Sequence, residues 1–118
     1  MNAKELMEAA VKVLDSKKAR DIRVLRVGDL TILGEYFVIA TGSSSTQVKM
    51  LADEVEYQLG QQGVKPHSVE GYKSENWIIL DYTDVIVHVF HEETRDFYGL
   101  ERLWADGEKV DISGLLTA

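Results

Sequence analysis

The sequence predicts an α/β (α+β) domain, a mixed five-stranded sheet with helices packed on it. Three observations predict it. The chain has 118 residues, the size of one domain that buries its own core. Its composition is ordinary for a globular protein, 45% hydrophobic and 28% charged. Its apolar pattern alternates between a helical period and strand-like runs, in the order helix, strand, strand, helix, three strands, helix. That order implies a mixed sheet with helices over at least one face.

The elements follow in turn. Asn2 is positioned to cap a first helix, and Ala3, Leu6, Met7, Ala10, Val13 and Leu14 recur at helical spacing over residues 3–18. Residues 21–27, DIRVLRV, alternate and read as a strand that ends at a Gly28-Asp29 turn. Residues 36–40, YFVIA, are a short apolar run that suits a buried central strand. In TGSSSTQ, Ser44 and Gln47 have capping-box spacing. Val48, Leu51, Ala52, Val55 and Leu59 then form a helical stripe that Gly60 or Gly63 can end.

Residues 66–71, PHSVEG, read as a strand at or near an edge, because proline cannot donate to a ladder. Residues 77–81 and 84–90 are the fourth and fifth strands, with only Tyr82-Thr83 between them. Glu92 and Glu93 suit the first turn of a last helix, whose stripe is Phe97, Leu100, Leu103 and Trp104. Residues 105–118 lack periodicity and read as a loose C-terminal tail after a single domain spanning 1–104.

Charge and composition narrow the function. Residues 1–69 carry nine acids and nine basic groups, whereas residues 70–118 carry eleven acids and four basic groups, so the entire net charge of −7 lies in the second part. A nucleic-acid binder normally has the opposite sign, and an acidic face steers towards a basic partner. The apolar runs fall far short of a membrane span, and the start is not that of a signal peptide. Zero cysteines exclude disulfides, thiolate metal sites and cysteine nucleophiles, and suit a reducing cytoplasm.

Catalytic readings find little support. The loop from Gly42 to Ser45 precedes a helix N-terminus, as in phosphate sites. It carries no cation and no Walker or dinucleotide motif, so an ordinary helix start is favoured over a nucleotide-binding or nucleotidyltransferase-like enzyme. Asp81 and Asp84 flank a turn rather than sharing a strand as a metal pair would. His88 and His91, three apart on a strand, point to opposite faces, and no nucleophile elbow is present. No catalytic residue, metal ligand or cofactor is expected.

The hairpin is better read as a surface. With a two-residue Tyr82-Thr83 loop, Asp81 faces Asp84 and Trp77 faces His88. One face then carries Ile78, Leu80, Val85, Val87 and Val89, which is pure core. The other carries Trp77, Ile79, Asp81, Asp84, Ile86, His88 and Phe90, a mixture that suits an aromatic anchor with a charged rim.

The segments VIATGSSSTQ, LADEV, VEG, NWIILDYTDVIVHVF and ETRDFYGLERLW, in this order, resemble the ribosomal silencing factor family, also called Iojap-related. The likeness runs to about Trp104. The departures are Glu35 where the family usually has Asp, Thr83 where it has Gly, and Asn76 where Gly often precedes the tryptophan. The resemblance implies a nucleotidyltransferase-like fold without metal carboxylates. It implies a non-enzymatic translation repressor that binds the large ribosomal subunit through its fourteenth protein, with little direct RNA contact, and blocks joining of the small subunit. The binding residues it implies are Trp77, Asp81, His88, Arg95, Tyr98 and Glu101. It also implies that homodimers can form.

Overall fold

The computed structural model describes residues 1–28, 34–71, 76–93 and 107–117. Helix α1 spans Ala3–Ser16 and is closed at its start by a capping box: the Glu5 N–H donates to Asn2 Oδ1 (2.8 Å), and the Asn2 N–H donates to Glu5 Oε1 (3.1 Å). It stops two residues earlier than its apolar period suggests. Lys17 is the C-cap, and Lys18 adopts a left-handed φ of 65°. The Ala19 N–H then reaches the Leu14 carbonyl (3.0 Å) and the Lys18 N–H the Asp15 carbonyl (3.0 Å), the paired bonds of a Schellman motif. Helix α2, Ser45–Gln61, ends the same way, with Gly63 at φ 81° and Val64 N–H on the Leu59 carbonyl (2.9 Å).

The strands are β1 (Arg20–Arg26), β2 (Tyr36–Gly42), β3 (Ser68–Glu70), β4 (Trp77–Asp81), β5 (Val85–His91) and β6 (Glu108–Val110). They form one sheet in the order β3-β4-β5-β2-β1-β6. Only β2 and β5 run parallel, from Tyr36↔Val85 to Gly42↔His91; every other pair is antiparallel. The mixed sheet is as expected, and so is the edge position of β3.

Among the described residues the sheet has six strands rather than five. The sixth comes from the segment read as a loose tail. Glu108–Val110 pairs with β1 through Val24↔Val110, Leu25↔Lys109 and Arg26↔Glu108. Ile112 is buried at 8% exposure, and both the N–H and the hydroxyl of Thr117 donate to Asp15 Oδ2 at 2.9 Å. Glu108, Lys109 and Val110 are too few, and two of them charged, to carry a strand period. The open edge of β1, not local propensity, recruits them. The predicted last helix, with Phe97, Leu100, Leu103 and Trp104, lies outside the described residues.

Two apolar clusters sandwich the sheet. Both helices cover one face, where Leu6, Met7, Leu14, Leu51, Val55 and Leu59 meet Val38, Ile78, Leu80, Val87 and Val89. The other face holds Leu25, Val27, Phe37, Ile39, Ile86 and Phe90, with Trp77 and Ile79 packed against them. Successive residues of β5 therefore enter opposite cores, which is why VIVHVF is buried without interruption.

Candidate functional site

The β4–β5 hairpin carries three of the predicted partner-binding residues. Its register differs from the expected one by two residues: Trp77 opposes Phe90, Ile79 opposes His88, and Asp81 opposes Ile86 rather than Asp84. The connection is Thr83-Asp84, flanked by the Tyr82 N–H donating to the Val85 carbonyl (2.9 Å). The Asp84 N–H also returns to the Tyr82 carbonyl (2.9 Å), a tight three-residue turn with Thr83 at φ 74°. The Asp81 carboxylate accepts the Thr83 N–H (2.8 Å) and holds that turn from below. A slip of two leaves every side chain on its predicted face, so the core face is as expected: Ile78, Leu80, Val85, Val87 and Val89 are all 0% exposed.

The mixed face is not the open surface that was expected. His88 is 5% exposed, Ile86 7% and Phe90 0%. The described residues on this face come from four neighbouring strands. Parallel pairing places Phe37 and Ile39 beside Ile86 and His88, and Leu25 and Val27 extend the same apolar floor. The YFVIA run held this signal, because a strand apolar at every position needs a core on both faces.

Within this floor His88 sits in an aromatic cage. Phe37 meets it edge-on at 5.3 Å between centroids, and Trp77 stacks on Phe90 at 4.9 Å. The Trp77 indole N–H donates to His88 Nδ1 at 3.1 Å. Indole only donates, so Nδ1 must carry the lone pair and His88 is neutral. Burial pushes its pKa down to about 3, which maintains that state. His88 is thus neither a general base at neutral pH nor a surface contact. It positions Trp77, which is half-buried. Asp81 is half-buried at the strand end with its carboxylate engaged in the turn. Arg95, Tyr98 and Glu101 lie outside the described residues.

The Gly-Ser loop serves the helix. A Cβ on Gly42 would lie 2.8 Å from Val48 Cγ2 and 3.0 Å from the Val48 N, so glycine lets the first turn of α2 close on the end of β2. Ser44 Oγ accepts the Gln47 N–H (3.1 Å) as the predicted cap. The reciprocal half differs: Gln47 Oε1 takes the N–H and hydroxyl of Ser43, at 2.6 and 2.8 Å, not the N–H of Ser44. The N–H groups of Ser43 and Gln47 are thus engaged within the loop. Among the described residues no group of three or more histidines and carboxylates could hold a metal ion, and no helix is long and apolar enough to cross a membrane.

Comparison with known proteins places these features in a family. A family model described as ribosomal silencing factor during starvation matches residues 1–118. Ribosomal silencing factor RsfS of Halalkalibacterium halodurans is 35% identical over 117 residues, covering 99% of this chain and 100% of that one. Its counterpart in Bacillus subtilis is 36% identical and covers 95% of each. The crystal structure of a Chromobacterium violaceum protein superposes with a TM-score of 0.87 at 37% identity, over 96% of this chain and 93% of that one.

Proposed function

Because the chain belongs to the ribosomal silencing factor family, we propose that it represses translation by binding the large ribosomal subunit and sterically blocking the small one. The observation that carries this reading is the match to the family over all 118 residues. It docks on the fourteenth large-subunit protein, with little direct RNA contact, in the cytoplasm, and performs no catalysis. The acidic second part of the chain supports a basic protein partner. So does half-buried Trp77, a rigid aromatic held in place by His88 and Phe90. Asp81 at the hairpin end, with Arg95, Tyr98 and Glu101, completes the contact surface. His88 contributes from beneath by fixing the indole. Homodimerisation is a state the free protein can adopt.

Paired variants test the proposal by co-sedimentation with large subunits and by a subunit-joining assay. Trp77→Ala is expected to weaken binding by about 2 kcal/mol, roughly thirtyfold, and to relieve the block. Leu80→Ala, at a position with 0% exposure, is expected to lower stability by about 2–5 kcal/mol and leave the binding of the folded fraction intact. Normal binding by folded Trp77→Ala would move the surface away from this hairpin. Turnover of nucleotides with magnesium would restore the enzymatic reading, which the absence of any cation in the Gly42–Ser45 loop disfavours.

A further inference from the structure

Two features of α2 have no explanation among the described residues. Gly60 lies within the helix, where glycine is less stable than alanine. Yet a Cβ added there would meet nothing within 4 Å, so no close approach requires glycine. Tyr57, one turn earlier on the same face, is 63% exposed. Glu56, Tyr57 and Gly60 form one wall of a groove, and Pro66, Ser68 and Val69 form the other.

The second wall is a sheet edge. Among the described residues the sheet ends at β3. Among the described residues no backbone hydrogen bond of Ser68, Val69 or Glu70 runs outside the ladder with β4. Val69 packs on the helix-side core, so that face of the strand borders the groove. Among the described residues, the acids Asp53 and Glu56 line the groove with one cation, Lys65, while Glu70 is exposed on the strand itself.

We propose that this edge is a second protein-docking site, which takes an extended basic segment of another protein as an added strand beside β3. Main-chain bonds to β3 would give affinity, and alternate side chains would give selectivity. The residue opposite Val69 would enter the space left bare at Gly60, against Tyr57. Residues two positions to either side share that face, and the one lying towards the start of α2 would meet Glu56 and Asp53. The fitting pattern is therefore a basic residue two positions from an apolar one, and a lysine on each side of the valine serves either strand direction. The brevity of β3 and the nearby Pro66 restrict pairing to one short segment rather than open-ended sheet growth. The site lies on the helix-covered side, away from the Trp77 face, and does not depend on the ribosomal reading.

The probe is the peptide acetyl-Thr-Lys-Thr-Val-Thr-Lys-Thr-amide, titrated into the full chain and followed by amide and Tyr57 ring resonances. The control peptide has glutamate in place of both lysines. Saturable shifts at Ser68, Val69, Glu70 and Tyr57, absent with the control, are expected. Gly60→Gln should raise the melting temperature through better helix propensity while weakening the probe by about tenfold or more. Tyr57→Ala should weaken it with the melting temperature unchanged. Equal binding of the acidic control, undiminished binding by Gly60→Gln, or shifts confined to the Trp77 face would each overturn the proposal. So would concentration-dependent self-association of the free chain through β3, which would make a second copy the occupant.

Discussion

At the residue scale, His88 changes the meaning of the hairpin. A histidine in a strand with aspartates near it invites a catalytic reading, but a neighbour that can only donate fixes its protonation. The consequence is a pH dependence with a defined sign. The unfolded chain titrates this group near its ordinary value of 6.5, and the folded chain near 3. Between those values the unfolded state holds more protons. The His88 contribution to stability is therefore complete above pH 6.5 and falls by up to about 1.4 kcal/mol per pH unit as pH drops towards 3. His88→Gln keeps an acceptor for the indole and removes the titration. Urea denaturation of both proteins from pH 7.5 to 4.5 should give a wild-type slope steeper by nearly one proton. Parallel slopes would mean that His88 is not held neutral by burial. A second residue-scale expectation concerns Thr83, a β-branched residue at φ 74°. Such a conformation costs about 1–2 kcal/mol, partly offset by the chain entropy that glycine loses on folding. Thr83→Gly should raise stability by about 0.5–1 kcal/mol, visible as a higher melting temperature with β4–β5 pairing unchanged.

At the scale of elements, the C-terminal segment is the clearest departure from the sequence reading. Edge strand β6, the turn of 3-10 helix at Ser113–Leu115 and the Thr117–Asp15 contact tie the chain end to β1 and α1. Ile112 is the apolar peg among them, buried with the helix-side core. Ile112→Ala should therefore cost about 2 kcal/mol, the lower end for a buried isoleucine because the site is near an edge and can relax. It should also raise hydrogen exchange at Val24 and Arg26, whose strand borders β6. A change within about 0.5 kcal/mol, the range of ordinary surface positions, would show that the segment adds nothing to the fold.

At the scale of the whole molecule, charge is distributed by region and not by fold layer. The net charge of −7 belongs to residues 70–118, which include both hairpin strands, while the half containing α1, β1 and α2 is balanced. Binding of large subunits should therefore weaken as salt rises, chiefly through a slower on-rate, and Asp81→Lys should reduce that dependence. Association rates measured from low to high salt check this, and a rate constant indifferent to salt would remove electrostatic steering from the mechanism.

The sequence by itself determined the local elements and the polarity of each strand. Asn2, Ser44 and Gly63 set helix ends through caps that depend only on neighbours a few residues away. The alternation of β4 assigned Ile78 and Leu80 to the core, an assignment that survived a slip of two residues because side-chain direction repeats every two. Family-specific segments such as NWIILDYTDVIVHVF were legible for the same reason, being contiguous. Tertiary structure alone decided three things. It paired β2 with β5 in parallel, which set Phe37 and Ile39 beside Ile86 and His88 in one continuous apolar face. It set the hairpin register, because the Asp81 cap and the strained Thr83 turn depend on backbone geometry that propensity does not encode. It recruited Glu108–Val110 as a sixth strand, because an unpaired edge of β1 supplies the hydrogen bonds that three charged-rich residues could never specify locally. Each of these rests on contacts between distant parts of the chain, and such contacts leave no periodic trace in either partner alone.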